Sequence, residues 1–231
     1  LNQLIEETRV QIGENGKKAE KGVKEEVQKI KQEWLSEWMP LLTSDEIPIN
    51  PYRIIWDLMH TVDRSQTIVT HDSGHPRDQM IPFYESTTPR GYLGWGNSSQ
   101  LGYGLGIAMG AKLGAPDKLV VNIMGDAAIG MAGMDIETAV RHKIPILTIV
   151  LNNHVLSGYS VNYPVAAERF GFTNLYGEYA DLAKALGAYS ERVGDPQQIA
   201  SAIRRAQEAM ATGTPALIEF MTKEENNLSR Y

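Results

Sequence analysis

The sequence predicts an α/β protein built on a doubly wound, mostly parallel sheet with an N-terminal helical connector. Residues 119–124 and 146–151 are short, apolar and rich in β-branched side chains, as in strands buried on both faces. Residues 134–141 lie between them and have helical spacing, which predicts Met134, Ile136, Ala139 and Val140 on or near one face. Strand, helix and strand over this length form a right-handed unit with parallel strands.

The N-terminal region differs from the rest and is predicted to be a helical connector, residues 1–46, from a missing upstream domain. A partly helical pattern over residues 1–12 is broken at residues 13–16, and residues 17–33 are dominated by Lys, Glu and Gln. This second segment has a narrow apolar stripe, which favours a solvated helix. We expect Trp34, Leu35 and Trp38 to anchor its end and Pro40 to stop it.

The compact domain is predicted to span residues 47–231. Asn50 followed by Pro51 is typical of a helix start. Strands are then predicted at residues 67–70, 188–193 and 216–220, and helices at 178–187 and 196–212, in addition to the unit above. The alternation of strands and helices predicts the doubly wound sheet.

Two polar residues follow the central strands. Asp126 and Asn153 each come two positions after the last residue of a buried run, so we expect them at the same carboxyl edge, where open α/β sheets bind ligands. A carboxylate and an amide oxygen suit a hard divalent cation that keeps water or phosphate in its other positions. The alternative is that both residues only form turns, as Asp and Asn often do.

Composition excludes several classes of function. The 231 residues carry a net charge of −6 and form no basic cluster, which argues against nucleic acid as a partner. The chain has no cysteine, which excludes disulfides, iron–sulfur clusters and Cys-ligated zinc. No apolar run approaches the length of a membrane span. We expect no membrane partner, and a cytoplasmic location is the default expectation.

The segment Gly125-Asp126-Ala127, followed by Asn152-Asn153, resembles the diphosphate-binding signature of thiamine diphosphate enzymes. The resemblance implies that Mg²⁺ is held by Asp126, Asn153 and the main-chain carbonyl of Val155. Ala127 stands where the signature has glycine, a variant familiar in the acetolactate synthase-like branch, which the chain resembles over nearly its whole length.

A glycine-rich segment, residues 91–110, resembles a second part of the same family's site. There a bulky apolar side chain holds the cofactor bent; Leu101 occupies that position, and the carbonyl of Ser99 would face the cofactor's 4′-amino group. The resemblance also implies that the segment after the first predicted strand and several main-chain amides contact the diphosphate. The full set of implied cofactor-binding residues is Gly74, His75, Ser99, Gln100, Leu101, Gly125, Asp126, Ala127, Ala128, Asn153, Val155 and Leu156.

The family's chemistry also needs a glutamate from a pyrimidine-binding domain, which nothing in this chain resembles. We therefore expect a fragment or one subunit of a split enzyme, with that domain on a missing chain segment or another subunit. The resemblance implies a homo-oligomer, a dimer or tetramer, that decarboxylates or ligates a small 2-oxo acid such as pyruvate. Residues 130–138 also resemble the oxalyl-CoA decarboxylase and 2-hydroxyacyl-CoA lyase group, which stays an alternative. An alternative of another class is a non-catalytic cofactor-binding or scaffolding subunit.

Overall fold

The computed structural model describes residues 1–13, 16, 22–96 and 99–229. The chain divides into two compact units, Leu1–Pro40 and Leu41–Tyr231. The functional boundary predicted between residues 46 and 47 stays a prediction.

The first unit is helical. It contains α1 (Asn2–Ile12), which ends at Gly13 in a positive-φ conformation, and most of α2 (Val23–Leu42). None of its described residues is buried, as expected for a solvated connector. The predicted start of the second helix at residue 17 lies outside the described residues. The prediction that Pro40 stops this helix is wrong: α2 continues to Leu42 with Pro40 inside it. A proline this close to the end removes one helical hydrogen bond, and only two residues follow it.

The second unit is built around a six-stranded sheet in which every pair of neighbours is parallel. The strands are β1 (Thr67–His71), β2 (Tyr92–Leu93), β3 (Leu119–Gly125), β4 (Leu147–Asn152), β5 (Tyr189–Val193) and β6 (Ala216–Met221). Their order across the sheet is β2-β1-β3-β4-β6-β5. The prediction of a doubly wound sheet is confirmed. The sequence missed β2, because two residues carry no readable alternation.

Helices connect the strands and cover the sheet. They are α3 (Pro51–Thr61), α4 (His75–Phe83), α5 (Tyr103–Gly114), α6 (Asp126–Ala132), α7 (Asp135–Arg141), α8 (Tyr159–Asn162), α9 (Pro164–Phe170), α10 (Tyr179–Ala185) and α11 (Ile199–Ala211). Short 3₁₀ turns occupy Arg64–Gln66 and Pro196–Gln198. The predicted start of α3 is confirmed, since the Asn50 side chain accepts a hydrogen bond from the Tyr52 amide at 3.1 Å.

Two details of the helix predictions are wrong. Met134 is 65% exposed, whereas Ile136 and Ala139 are buried. Met134 precedes the first residue of α7, so the inward face begins only after it. The segment after Asn153, predicted to be a loop, contains α8 and α9. Helices this short have too few turns to show a periodic apolar face.

The core lies against both faces of the sheet because successive strand residues point to opposite sides. On one side, residues of β3, β4 and β6 pack with α5, α6, α7 and α10 in one buried apolar cluster. On the other, α3 and α11 bury apolar residues of their own, among them Ile54, Leu58 and Ile203. Burial of this kind contributes about 25 cal/mol per Å² of apolar surface. A rigid, covered sheet therefore supports the loops at its carboxyl edge. No helix in the described part of the chain is both long and apolar enough to cross a membrane.

Candidate active site

A cavity of about 150 Å³ lies at the carboxyl edge of the central strands. Its wall combines the segment after β1, the turn from β3 into α6, the segment after β4 and the end of β6. Ten of the twelve predicted cofactor-binding residues line it: Gly74, His75, Leu101, Gly125, Asp126, Ala127, Ala128, Asn153, Val155 and Leu156. The structure thus brings together in one cavity residues that the sequence separates by more than eighty positions.

Ser99 and Gln100 are the two predicted residues that do not line the cavity. The Ser99 hydroxyl lies 2.9 Å from that of Ser73, a residue of the wall, and also accepts a hydrogen bond from Arg77 at 3.0 Å. Gln100 is exposed. Their role toward a cofactor stays a prediction.

Asp126 is the first residue of α6 and only 4% of it is exposed. One carboxylate oxygen accepts a hydrogen bond from the Ala127 amide at 2.8 Å, and the other from the Asn153 amide at 3.3 Å. Burial raises the pKa of Asp126 above its ordinary value, although hydrogen bonds from backbone amides oppose this shift. Among the described residues, Asp126 is also the only carboxylate in the cavity wall. A buried carboxylate of this kind is a favourable ligand for a cation.

Asn153 begins a tight turn beside Asp126. Its Oδ1 accepts a hydrogen bond from the Val155 amide at 3.0 Å, and its Nδ2 donates to the Ser157 hydroxyl at 2.8 Å. His154, between Asn153 and Val155, has a φ of 59°, a conformation uncommon outside glycine. The turn is closed by hydrogen bonds from Leu175 to the His154 carbonyl and from Leu156 to the Thr173 carbonyl, both at 2.8 Å.

Few of the groups in the cavity wall that could bind a metal ion carry a negative charge. Among the described residues, no group of three or more His, Cys, Asp or Glu side chains could hold a metal ion. A metal at the carboxyl edge would therefore depend on one carboxylate together with amide and carbonyl oxygens. Such a set suits Mg²⁺ that keeps phosphate and water among its ligands.

Asp72 holds the glycine-rich segment in place, and sequence reasoning missed this role. The buried carboxylate accepts hydrogen bonds from the backbone amides of Gly102 and Gly104, each at 2.9 Å, and from that of Ser73 at 2.7 Å. It therefore fixes the start of α5 against the end of β1. Leu101, next to Gly102, both lines the cavity and packs against the apolar cluster. The sequence signal that could have revealed this role is the position of Asp72, an acidic residue directly after a buried strand.

Lys223 was also missed. It follows the end of β6 by two residues and supplies the one Lys or Arg side chain that the described residues contribute to the cavity wall. Its Nζ lies 3.0 Å from a carboxylate oxygen of Glu46 and 3.5 Å from one of Glu225. The hydrogen bond to Glu46 raises the pKa of Lys223, so the ammonium stays charged. Its position after the last strand places a cation near the predicted anion site.

His75 starts α4 at the edge of the same cavity. Its Nε2 lies 3.2 Å from Oδ1 of Asn226. Gly74, before it, has a φ of 84°, which glycine adopts without strain. The segments after β1 and β6 therefore meet at this edge.

A parallel sheet of this order, with a cavity lined by a buried carboxylate, an amide and glycine-flanked turns at its carboxyl edge, defines a cofactor-binding domain of the doubly wound class. Comparison with protein families identifies which one. Residues 72–220 match the family described as thiamine pyrophosphate enzyme, C-terminal TPP binding domain, and the chain belongs to that family.

Curated relatives align with a longer part of the chain than residues 72–220. The chain is 33% identical over 193 residues to the acetolactate synthase large subunit of Mycobacterium tuberculosis, covering 78% of this chain and 33% of the relative. It is 29% identical over 198 residues to a probable acetolactate synthase large subunit of Methanococcus aeolicus, covering 83% and 33%. A 2-hydroxyacyl-CoA lyase of Oryza sativa is 32% identical over 120 residues, covering 51% and 21%. The chain spans about a third of the length of the acetolactate synthases it matches.

A solved structure supports the fold independently. The thiamine diphosphate-dependent 4-hydroxybenzoylformate decarboxylase of Rhodococcus jostii superposes with a TM-score of 0.68 over 80% of this chain and 34% of its own. At 22% identity this likeness shows the fold alone.

Proposed function

We propose that this chain supplies the diphosphate- and Mg²⁺-binding half of an acetolactate synthase-like enzyme, which decarboxylates a 2-oxo acid and joins the remaining fragment to an acceptor. The observation that carries the proposal is the pairing of Asp126 and Asn153 in one cavity, where the buried carboxylate of Asp126 accepts hydrogen bonds from the backbone amides of Ala127 and Asn153. Membership of the thiamine pyrophosphate family and the relatives above support it.

The residues that line the cavity are chemically suited to Mg²⁺ and thiamine diphosphate. Asp126, Asn153 and the Val155 carbonyl are the proposed metal ligands, since they supply three oxygen atoms on two adjacent turns. Lys223, His75 and the amides at the start of α4 are the proposed contacts of the diphosphate. Leu101 is the proposed apolar support for the cofactor's bent shape. When bound, thiamine diphosphate supplies the electron sink that decarboxylation requires, while the chain binds and orients it.

The proposed partners follow from what the cavity wall lacks. Apart from Asp126, no carboxylate lines it in the described part of the chain. The glutamate that the family uses to hydrogen-bond the pyrimidine ring is therefore proposed to come from a pyrimidine-binding domain outside residues 1–231. We propose that this domain meets the cavity in a cytoplasmic homo-oligomer.

A 2-hydroxyacyl-CoA lyase-like activity is the second candidate. The relative from Oryza sativa, and the resemblance over residues 130–138, favour it. The two candidates share the cofactor and the metal ligands, and they differ in the substrate that the rest of the enzyme binds.

Calorimetry with thiamine diphosphate and Mg²⁺ tests the proposal. Wild type is expected to bind the cofactor in Mg²⁺, and EDTA is expected to abolish binding. Asp126→Ala is expected to lose Mg²⁺-dependent binding, because it removes the one carboxylate that the described residues place in the wall. Asp117→Ala, an exposed aspartate next to β3, is a matched control that is expected to bind as wild type does. Undiminished binding by Asp126→Ala would reject the metal assignment.

A further inference from the structure

Glu219 is a carboxylate with no exposure in the middle of β6. Three N–H groups converge on its two oxygens. The side-chain amide of Asn152 donates to Oε1 at 2.7 Å, while the Ala180 backbone amide and Nε of Arg192 each donate to Oε2 at 2.9 Å. A buried carboxylate is stable only when it is paired in this way. Sequence analysis gave Glu219 no role.

Arg192 balances the charge of Glu219 from the neighbouring strand β5. Its guanidinium is partly exposed and also pairs with Glu178 and Asp181, two residues at the start of α10. One guanidinium charge is therefore shared by three carboxylates, so Glu219 also depends on its two neutral donors, Asn152 and the Ala180 amide. The donor from Asn152 has a further consequence, because Asn152 also contacts the turn that follows β4.

The contact with Asn152 fixes which way that side-chain amide points. A carboxylate only accepts hydrogen bonds, so Nδ2 of Asn152 has to face Glu219. Nδ2 also donates to the Gly177 carbonyl at 3.3 Å, which requires the same orientation. Oδ1 is then directed to the other side, where it accepts a hydrogen bond from the His154 backbone amide at 3.1 Å.

His154 is the residue with the left-handed conformation between Asn153 and Val155. Its amide is held by Asn152 and its carbonyl by Leu175. The conformation of this residue sets how Asn153 and Val155, which supply two of the three proposed metal ligands, are placed relative to one another.

We propose that Glu219 is a positioning residue for the metal site, acting through Asn152 to hold the turn that presents Asn153 and the Val155 carbonyl. The proposal rests on the proposed function, because it concerns the ligands of that same metal. Groups that orient metal ligands typically change metal affinity by about 10- to 100-fold when they are replaced.

Mn²⁺ serves as a paramagnetic probe in place of Mg²⁺. Electron paramagnetic resonance measures both the dissociation constant of Mn²⁺ in the presence of thiamine diphosphate and the spectrum of the bound ion. Glu219→Gln offers one acceptor and one N–H₂ group to three donors, so either Asn152 turns over or a donor faces a donor. We expect about 10- to 100-fold weaker Mn²⁺ binding and an altered spectrum.

Two further variants separate positioning from folding. Asn152→Ala removes the link to His154 but leaves the Glu219–Arg192 pair in place, and it is expected to reproduce the loss of affinity and the altered spectrum. If Glu219→Gln does not fold, Asn152→Ala decides alone. Glu191→Gln is the matched control, because Glu191 lies on β5 and pairs with Arg205 at 3.1 Å. Among the described residues, neither Glu191 nor Arg205 hydrogen-bonds to residues 152–157. This variant is expected to keep the wild-type affinity and spectrum.

These measurements separate failure of the positioning role from failure of the proposed function. Variants of Glu219 and Asn152 that unfold at lower urea concentration but bind Mn²⁺ with wild-type affinity and spectrum would overturn the positioning role and leave the proposed function intact. A wild-type chain that binds no Mn²⁺ with thiamine diphosphate would overturn the proposed function, and the positioning role with it.

Discussion

At the scale of single residues, Gly104 explains part of the glycine-rich segment. A Cβ atom placed there would lie 2.5 Å from Oδ1 of Asn122, 3.0 Å from Oδ2 of Asp72 and 3.2 Å from the His71 carbonyl oxygen. The start of α5 therefore approaches β1 and β3 more closely than any side chain permits. Gly106, two residues later, is exposed, and nothing lies within 4 Å of a Cβ atom at that position.

These two glycines make a matched pair of predictions. Gly104→Ala is expected to lower the free energy of unfolding by about 1–3 kcal/mol, because the added methyl group overpacks a rigid site. Gly106→Ala, in the same helix, is expected to raise it by up to about 1 kcal/mol through helix propensity. Urea unfolding of both variants measures the difference. Equal stability of Gly104→Ala and wild type would contradict the close approach.

At the scale of secondary-structure elements, Asp72 joins β1 to α5. Burial raises the pKa of Asp72, and the backbone amides of Gly102, Gly104 and Ser73 partly oppose this shift. Because the raised pKa belongs to the folded state, the contribution of Asp72 to stability is greatest when the carboxyl is protonated. That contribution is complete below the ordinary pKa of 3.8 and is lost as pH rises through the raised pKa.

Asp72→Asn is therefore expected to change the pH dependence of stability with a definite sign. The free energy of unfolding of wild type minus that of Asp72→Asn is expected to fall as pH rises above 3.8. Asp63→Asn is the opposite control, since hydrogen bonds from Ser65 lower the pKa of Asp63. The contribution of Asp63 to stability is present above pH 3.8 and is lost as the pH falls below that value. Urea unfolding across the acid range measures both, and a flat difference for Asp72→Asn would contradict the assignment.

The elements also show what the sequence can predict. Residues 119–124 and 146–151 were readable as strands because both faces are covered, so their apolar runs are unbroken. The joint position of Asp126 and Asn153 followed from the topology of parallel strands. The roles of Glu219 and Lys223 were not predictable, because Asn152 and Glu46, with which they pair, lie 67 and 177 positions away and only the folded chain brings them together. Asp72 carried a readable signal, an acidic residue directly after a buried strand, but the two glycine amides that it binds lie 30 and 32 positions further along the chain. The short helices α8 and α9 have too few turns for a period.

At the scale of the whole molecule, the charged and polar groups of the cavity wall are few. The described wall contains one carboxylate, one ammonium group, one imidazole and several backbone amides, which suit a metal diphosphate. It contains no second carboxylate for the proton transfer that the family assigns to a glutamate.

The 231-residue chain, supplied with thiamine diphosphate and Mg²⁺, is therefore expected to bind the cofactor yet release no CO₂ from pyruvate above the rate of the free cofactor. Release of CO₂ is measured directly, and Asp126→Ala is the control for any background. Turnover by wild type that Asp126→Ala abolishes would show that a group within these residues performs the glutamate's role.

The parallel sheet has a consequence for how the chain acquires its cavity. Every strand pair joins segments connected by a long crossover, and the wall draws on residues from Pro51 to Lys223. Contacts this distant in sequence form slowly, because the loops between them must close first. A chain emerging from the ribosome therefore presents no complete wall until β6 has joined β4. Cofactor binding that needs the complete wall is therefore expected only after this last strand pair has formed.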